Sequence, residues 1–289
     1  MADRVFKPEV EKENVSVGAP DEFLDAWERA DLYLPVATEV SPMPAESRVV
    51  AYSDPKSAGA DKFRLVQLLL KSLQTARKLK TLLITSALPG DGKSTVALNL
   101  ATVLSENGKL PVLLVEADVY RPTLARKLGL KPWPGLIECY KHGSDPMLAI
   151  RRIEPLGFYL LPAGQATDDS GGLLQDNFGS QLVKGLSSSF FSWILIDSPP
   201  TTPIADILTL KAQVDGTLLV ARAGATPREA LQESVQNLGR DHVVGIVLNA
   251  VEGIERAYSK YYGYGKTAGR GKPAASGSHT GLGLNPRTR

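Results

Sequence analysis

The stretch that decides the fold runs Thr81-Leu82-Leu83-Ile84-Thr85-Ser86, then Ala87-Leu88-Pro89-Gly90-Asp91-Gly92-Lys93-Ser94-Thr95, then Val96-Ala97-Leu98-Asn99-Leu100. An apolar run, a glycine-bearing turn and a helical pattern follow one another without a gap. Such a unit turns backbone N–H groups toward one point: Gly90 and Gly92 let the chain approach closely, and the helix start adds its positive dipole. Lys93 is placed to reach terminal phosphates and Ser94 to offer a hydroxyl to Mg²⁺. Pro89, Gly90, Asp91, Gly92, Lys93, Ser94 and Thr95 are therefore the candidate nucleotide-binding residues, with ATP and Mg²⁺ as the expected cofactors.

Outward from this loop, short apolar runs alternate with helical patterns. Strands are expected at 81–86, 111–117, 158–162, 193–197, 217–221 and 243–248, and helices at 60–79, 94–107, 123–129, 146–152, 178–190, 204–212 and 227–239. Apolar runs without polar alternation imply strands covered on both faces, so the expected fold is α/β, a three-layer α/β/α sandwich on a mostly parallel sheet. Two further runs end in acids: Leu113-Leu114-Val115-Glu116-Ala117-Asp118 and Ile194-Leu195-Ile196-Asp197-Ser198-Pro199-Pro200. In an open parallel sheet ligands bind at the carboxyl ends of the strands, which should bring Glu116, Asp118 and Asp197 to the phosphate loop. Magnesium keeps several waters, so Ser94 with Asp118 and Asp197 suffices to hold it.

Composition narrows the remainder. The chain of 289 residues carries 33 Lys+Arg against 31 Asp+Glu, a formal net charge of +2, which argues against nucleic acid as a partner. A single cysteine, Cys139, excludes an internal disulfide, and Cys139 with His142 reads as ordinary helix sequence. No apolar run approaches the roughly 18 residues of a membrane span and no signal-peptide core is evident, so a cytoplasmic location is expected. Residues 1–50 hold eleven acids and five Lys/Arg. The expected organisation is an acidic, partly ordered arm over 1–54, the nucleotide-binding domain over 55–252 and a basic tail over 253–289, with a short helix around Phe23–Ala30 and disorder from about Lys266.

The combination Pro89–Thr95, Val115-Glu116-Ala117-Asp118-Val119-Tyr120-Arg121-Pro122, Ile196–Pro200 and the cluster Tyr258, Tyr261, Tyr262 and Tyr264 resembles the bacterial tyrosine kinases of capsule and exopolysaccharide synthesis. The match spans roughly residues 55–265, supported by Val214–Val220 and Gly245–Asn249. The resemblance implies ATP-dependent autophosphorylation of the four clustered tyrosines. It implies charge stabilisation by Lys93, and Mg²⁺ held by Ser94, Asp118 and Asp197. Glu116 would orient or deprotonate the attacking hydroxyl, Arg121 would position substrate and Asn249 would contact adenine. It also implies a membrane-bound polysaccharide co-polymerase as activating partner, recruitment to the inner face of the membrane only through that partner, and homo-oligomer formation.

Two positions depart from the family pattern. Glu116 stands where the first Asp of a D-x-D pair is usual, and Asp61, Arg64 and Gln67 stand where the oligomerisation motif reads E-x-x-R-x-x-R. These departures keep two alternatives open: an ATP-binding, non-catalytic scaffold of a polysaccharide export complex, and a switch ATPase like the partition and septum-site proteins. The latter usually carry an additional lysine early in the loop, absent from Ala87-Leu88-Pro89-Gly90-Asp91.

Overall fold

The computed structural model describes residues 36–166, 173, 177–202 and 205–253. The expected helix near Phe23–Ala30, the tyrosine cluster and the tail from Lys266 lie outside the described residues. The chain divides into two units, Met1–Glu252 and Gly253–Arg289, and the elements below belong to the first.

In chain order the elements are β1 (Ala37–Val40), a 3-10 turn (Ala45–Ser47), α1 (Val50–Ser53), α2 (Ala58–Arg77), β2 (Thr81–Ser86), α3 (Lys93–Leu104), β3 (Val112–Glu116), α4 (Leu124–Lys127), α5 (Leu136–His142), a second 3-10 turn (Pro146–Ala149), β4 (Arg151–Glu154), β5 (Phe158–Leu161), α6 (Asn177–Ser188), β6 (Trp193–Asp197), α7 (Ala205–Lys211), β7 (Gly216–Arg222), α8 (Arg228–Leu238) and β8 (Val243–Asn249). The strands form one sheet in the order β1-β4-β5-β3-β6-β2-β7-β8, parallel except between β4 and β5.

Alternation along each strand sorts side chains between two cores. Leu82, Ile84, Leu114 and Leu195 face α2 and α3. Leu83, Leu113, Val115, Ile194 and Ile196 face the opposite side, with Leu186 of α6, Ile207 of α7 and Leu238 of α8. All are nearly inaccessible, and each contributes about 1.5–3 kcal/mol by leaving water. Helix α3 is apolar on most of its circumference because it lies between the sheet and α2; Val96, Leu98, Leu100 and Leu104 are all buried.

Two parts of the pattern read differently in three dimensions. The helix expected over 146–152 is a 3-10 turn followed by strand β4. Pro146 starts that turn and the Asp145 carboxylate accepts the Met147 N–H at 2.9 Å, after which Arg151 and Ile153 point inward and Arg152 and Glu154 outward, the two-residue period of a strand. The turn at Pro155–Gly157, with Gly157 at φ 77°, then reverses the chain into β5. The second difference is β1, which forms in a proline-rich stretch. It pairs with β4 and is fastened by buried Arg151, whose guanidinium donates to Glu39 Oε2 at 2.9 Å and to the Lys131 and Pro134 carbonyls.

On α2, Arg64 pairs with Asp61 at 2.6 Å, and Gln67 donates to the Val103 carbonyl of α3 at 2.7 Å. These three positions are thus engaged within the chain. No helix among the described residues is long and apolar enough to cross a membrane.

Candidate functional site

The sheet order brings the three motifs together. β6 lies between β2 and β3, so Asp197 is flanked by Ile84 on one side and Glu116 on the other, at the edge from which the phosphate loop springs. A cavity of about 830 Å³ opens there, lined by Pro89, Gly90, Gly92, Lys93, Ser94 and Thr95 of the loop, by Asp118, Tyr120 and Arg121, by Pro199 and Pro200, and by Arg222 and Asn249. Its size suits a nucleotide with part of a second substrate.

The loop is braced from within. Asp91 is buried: its carboxylate accepts the Leu88 N–H at 3.0 Å and the Thr226 hydroxyl at 2.7 Å, while Asn249 Nδ2 donates to its carbonyl at 2.9 Å. The Asp91 side chain therefore shapes the cradle, leaving phosphate contact to backbone groups. Gly92 caps α3 at φ 98°, a left-handed conformation that favours glycine, and a Cβ there would displace the Asn249 side-chain amide.

Lys93 extends across the cavity floor. Its Nζ lies 2.8 Å from Asp118 Oδ2, 3.7 Å from Asp197 Oδ1 and 3.4 Å from Ser94 Oγ. Burial disfavours its charge, but Asp197 and Asp118 outweigh burial, and its pKa sits above the ordinary lysine value. Asp197 is 1% exposed, and neither of its carboxylate oxygens has a hydrogen-bond partner among the described residues. Burial holds its pKa above the usual carboxylate range against the pull of Lys93. Orphaned buried oxygens beside a serine hydroxyl fit the hard oxygen donors that Mg²⁺ takes. Among the described residues no group of three or more His, Cys, Asp or Glu is placed to hold a metal alone.

Glu116, expected at the attacking hydroxyl, is placed elsewhere. It is fully buried and absent from the cavity wall; Oε1 accepts the N–H groups of Thr123 and Leu124, each at 2.5 Å, and Oε2 that of Ala163 at 3.2 Å. The longer side chain reaches past the site to hold the segment 117–124, which carries Asp118 and Arg121, and to tie it to the end of β5. Burial raises its pKa to about 7, against the lowering effect of those three bonds.

The structure adds cavity residues that pattern reading missed. Arg222 ends β7 at the carboxyl edge, where the strand-end rule applies, and its Nη1 stands 3.5 Å from the Gly90 carbonyl. Lys127 ends α4, and Arg48 belongs to the turn before α1; neither has a motif around it. Cys139 is buried in α5, with burial raising its thiol pKa to about 11, and takes no part in the site.

The profile of the family described as ParA, NUBPL iron-transfer P-loop NTPase, matches residues 78–255. Over 220 residues the chain is 28% identical to the tyrosine-protein kinase YwqD of Bacillus subtilis, covering 75% of this chain and 92% of that protein. It is 27% identical over 190 residues to the tyrosine-protein kinase CpsD of Streptococcus agalactiae, with 65% and 82% covered. The succinoglycan biosynthesis transport protein ExoP of Rhizobium meliloti is 28% identical over 219 residues, and there the chain spans only 28% of its relative's length. Among solved structures, the VpsO kinase domain superposes with a TM-score of 0.57 at 27% identity, covering 68% of this chain and 100% of that one. The BceF tyrosine kinase domain gives 0.62 at 25% identity, covering 80% and 97%. The bacterial tyrosine kinases read from the motifs are thus the proteins that the comparisons return.

Proposed function

The chain belongs to the ParA family of P-loop NTPases, and on that premise we propose that it is an ATP-dependent protein-tyrosine autokinase acting in exopolysaccharide or capsule synthesis. The observation that carries this reading is the convergence of Asp118 and Asp197 on Lys93 beside a glycine cradle, at a cavity that Lys93 and Asp118 line, in a chain whose curated relatives are named tyrosine-protein kinases.

Phosphoryl transfer asks little covalent chemistry of a protein; positioning and charge stabilisation do most of the work. Backbone N–H groups of Gly90–Thr95 bind the phosphates. Lys93 exchanges its carboxylate partner for phosphate oxygens when nucleotide enters. Ser94 and Asp197 would hold Mg²⁺, which neutralises phosphate charge when bound. Asp118 faces the cavity and accepts the tyrosine proton as the phenolic oxygen bonds to the γ-phosphorus and the bond to ADP breaks. Glu116 positions the Asp118 segment. Asn249 contacts adenine, Arg121 receives the incoming segment, and Tyr258, Tyr261, Tyr262 and Tyr264 are the acceptors. The partner is a membrane-bound polysaccharide co-polymerase, through which the chain, located in the cytoplasm, meets the membrane; acceptor tails exchange between copies.

A second reading, the ATP-binding scaffold, is favoured by one observation: the first D-x-D carboxylate is spent on backbone N–H groups. Mass spectrometry after incubation with ATP and Mg²⁺ separates the two. Phosphate on Tyr258–Tyr264 that disappears in Lys93→Met supports the kinase. Intact ATP binding with no phosphotyrosine, even with the partner's cytoplasmic segment added, refutes it in favour of the scaffold, and ADP formation without phosphotyrosine favours the switch ATPase.

A further inference from the structure

Two cations that belong to no motif line the cavity, and one of them touches the phosphate loop at its helical end. Asn249 and Arg222 address residues 90 and 91, whereas Lys127 Nζ stands 3.2 Å from the hydroxyl of Thr95, the last residue of the loop. Arg48 arrives from the segment ahead of α1, and both it and Lys127 line the cavity.

That segment is built to aim Arg48. Its neighbours Ser47 and Val49 are buried, and Asn99, fully buried one turn beyond Thr95 on α3, grips the chain on both sides. Asn99 Nδ2 donates to the Arg48 carbonyl at 2.9 Å, and its Oδ1 accepts the Ala51 N–H at 3.1 Å. Arg48 itself adopts the left-handed conformation, φ 50° and ψ 36°, which a residue with a Cβ avoids unless its surroundings impose it.

The charges acting most on Lys127 are Arg48, Arg126 and Lys93, opposed by Asp197, and its pKa is lowered first by burial and then by those cations. Like charges crowded into a partly buried wall repel one another, and an anion between them relieves the repulsion. A guanidinium and an ammonium beside a phosphate cradle select phosphate oxygens.

We propose that Arg48 and Lys127 bind the phosphate chain of a nucleoside di- or triphosphate, and that Arg48 thereby couples the docking of residues 44–53 to nucleotide occupancy. The inference rests on the nucleotide-binding half of the reading above and is independent of phosphoryl transfer. β1 directly precedes this strap and pairs with β4.

The test is titration calorimetry with ATP and with ADP, each with Mg²⁺, on wild type, Arg48→Ala, Arg48→Lys, Lys127→Ala and, as a control, Lys184→Ala on the exposed face of α6. Each alanine at 48 or 127 weakens both nucleotides by about tenfold or more, Arg48→Lys falls between, and Lys184→Ala stays within about twofold of wild type. Hydrogen exchange gives a second readout: ATP slows exchange of amides 45–53 in wild type, and in Arg48→Ala that response is lost while amides 89–95 still respond. Affinities within about twofold of wild type in both alanine variants, with unchanged melting, overturn the binding assignment. An equal response of 45–53 in wild type and Arg48→Ala overturns the coupling. Absent tyrosine phosphorylation alongside these losses sinks the kinase reading alone; phosphorylation alongside unchanged affinities sinks this inference alone.

Discussion

Replacing Glu116 by Gln makes the pH dependence of stability a direct report on a buried carboxyl. In the folded protein its pKa is raised, by burial above all, from the ordinary 4.5 to about 7. A carboxyl raised on folding stabilises the fold while protonated; that contribution is complete below pH 4.5 and is lost as the pH rises through 7. Each pKa unit is worth about 1.36 kcal/mol, so the full loss is about 3 kcal/mol, of which about 2.5 kcal/mol falls between pH 5 and pH 8. Gln keeps an oxygen for the Thr123 and Leu124 N–H groups and cannot ionise. Urea denaturation of wild type and Glu116→Gln at pH 5 and pH 8 should therefore show wild type losing about 2.5 kcal/mol more than the variant, equivalent to about 5–10 °C in Tm for a domain of this size. Asp197, also raised by burial, loses stability in the same direction and is common to both proteins, so it cancels apart from its charge repulsion with Glu116, which itself belongs to the Glu116 shift. Parallel profiles would refute the reasoning. They would mean that three backbone N–H groups fully replace the water that the carboxylate gave up.

Four further outcomes follow from the same geometry. Glu116→Asp restores the family's residue but shortens the reach to Thr123, Leu124 and Ala163, so autophosphorylation measured by phosphotyrosine mass spectrometry falls by about tenfold; a rise would return Glu116 to the catalytic role. Gly92→Ala forces a Cβ into a left-handed turn against Asn249, and nucleotide binding by calorimetry is lost although the domain still melts cooperatively. Asp197→Asn removes a buried carboxylate that burial disfavours and whose ion pair with Lys93 is long, 3.7 Å, so Tm at pH 7.5 rises by a few degrees while Mg²⁺ no longer strengthens ATP binding; a fall in Tm contradicts this. Arg151→Met releases Glu39 and two loop carbonyls and costs about 2–3 kcal/mol by urea denaturation, Glu39 being open enough to recover water; a change below about 0.5 kcal/mol counts against the clamp.

What was legible in the sequence follows from how each feature is encoded. β2, β3 and β6 are buried on both faces, so their continuous apolar runs stand out, and the glycines of the phosphate loop both sit at positive φ, where glycine is favoured. The carboxylates at 118 and 197 were placed by the strand-end rule alone. β4 was hidden because Arg151 is an inward-facing charge whose partners, Glu39 and the Lys131 and Pro134 carbonyls, come from distant segments; local pattern reads it as surface. Glu116 misled for a related reason. Its position in the chain is that of a catalytic carboxylate, but one more methylene lets it reach backbone donors 7, 8 and 47 residues away. With Glu116 held by backbone donors, Asp118, Asp197 and Lys93 are the charged motif residues left facing one another. The cations around them then matter more. Lys93 already stands beside two carboxylates, and Arg48, Lys127 and Arg222 add positive charge to the same cavity from outside the motifs, alongside Arg121 within them.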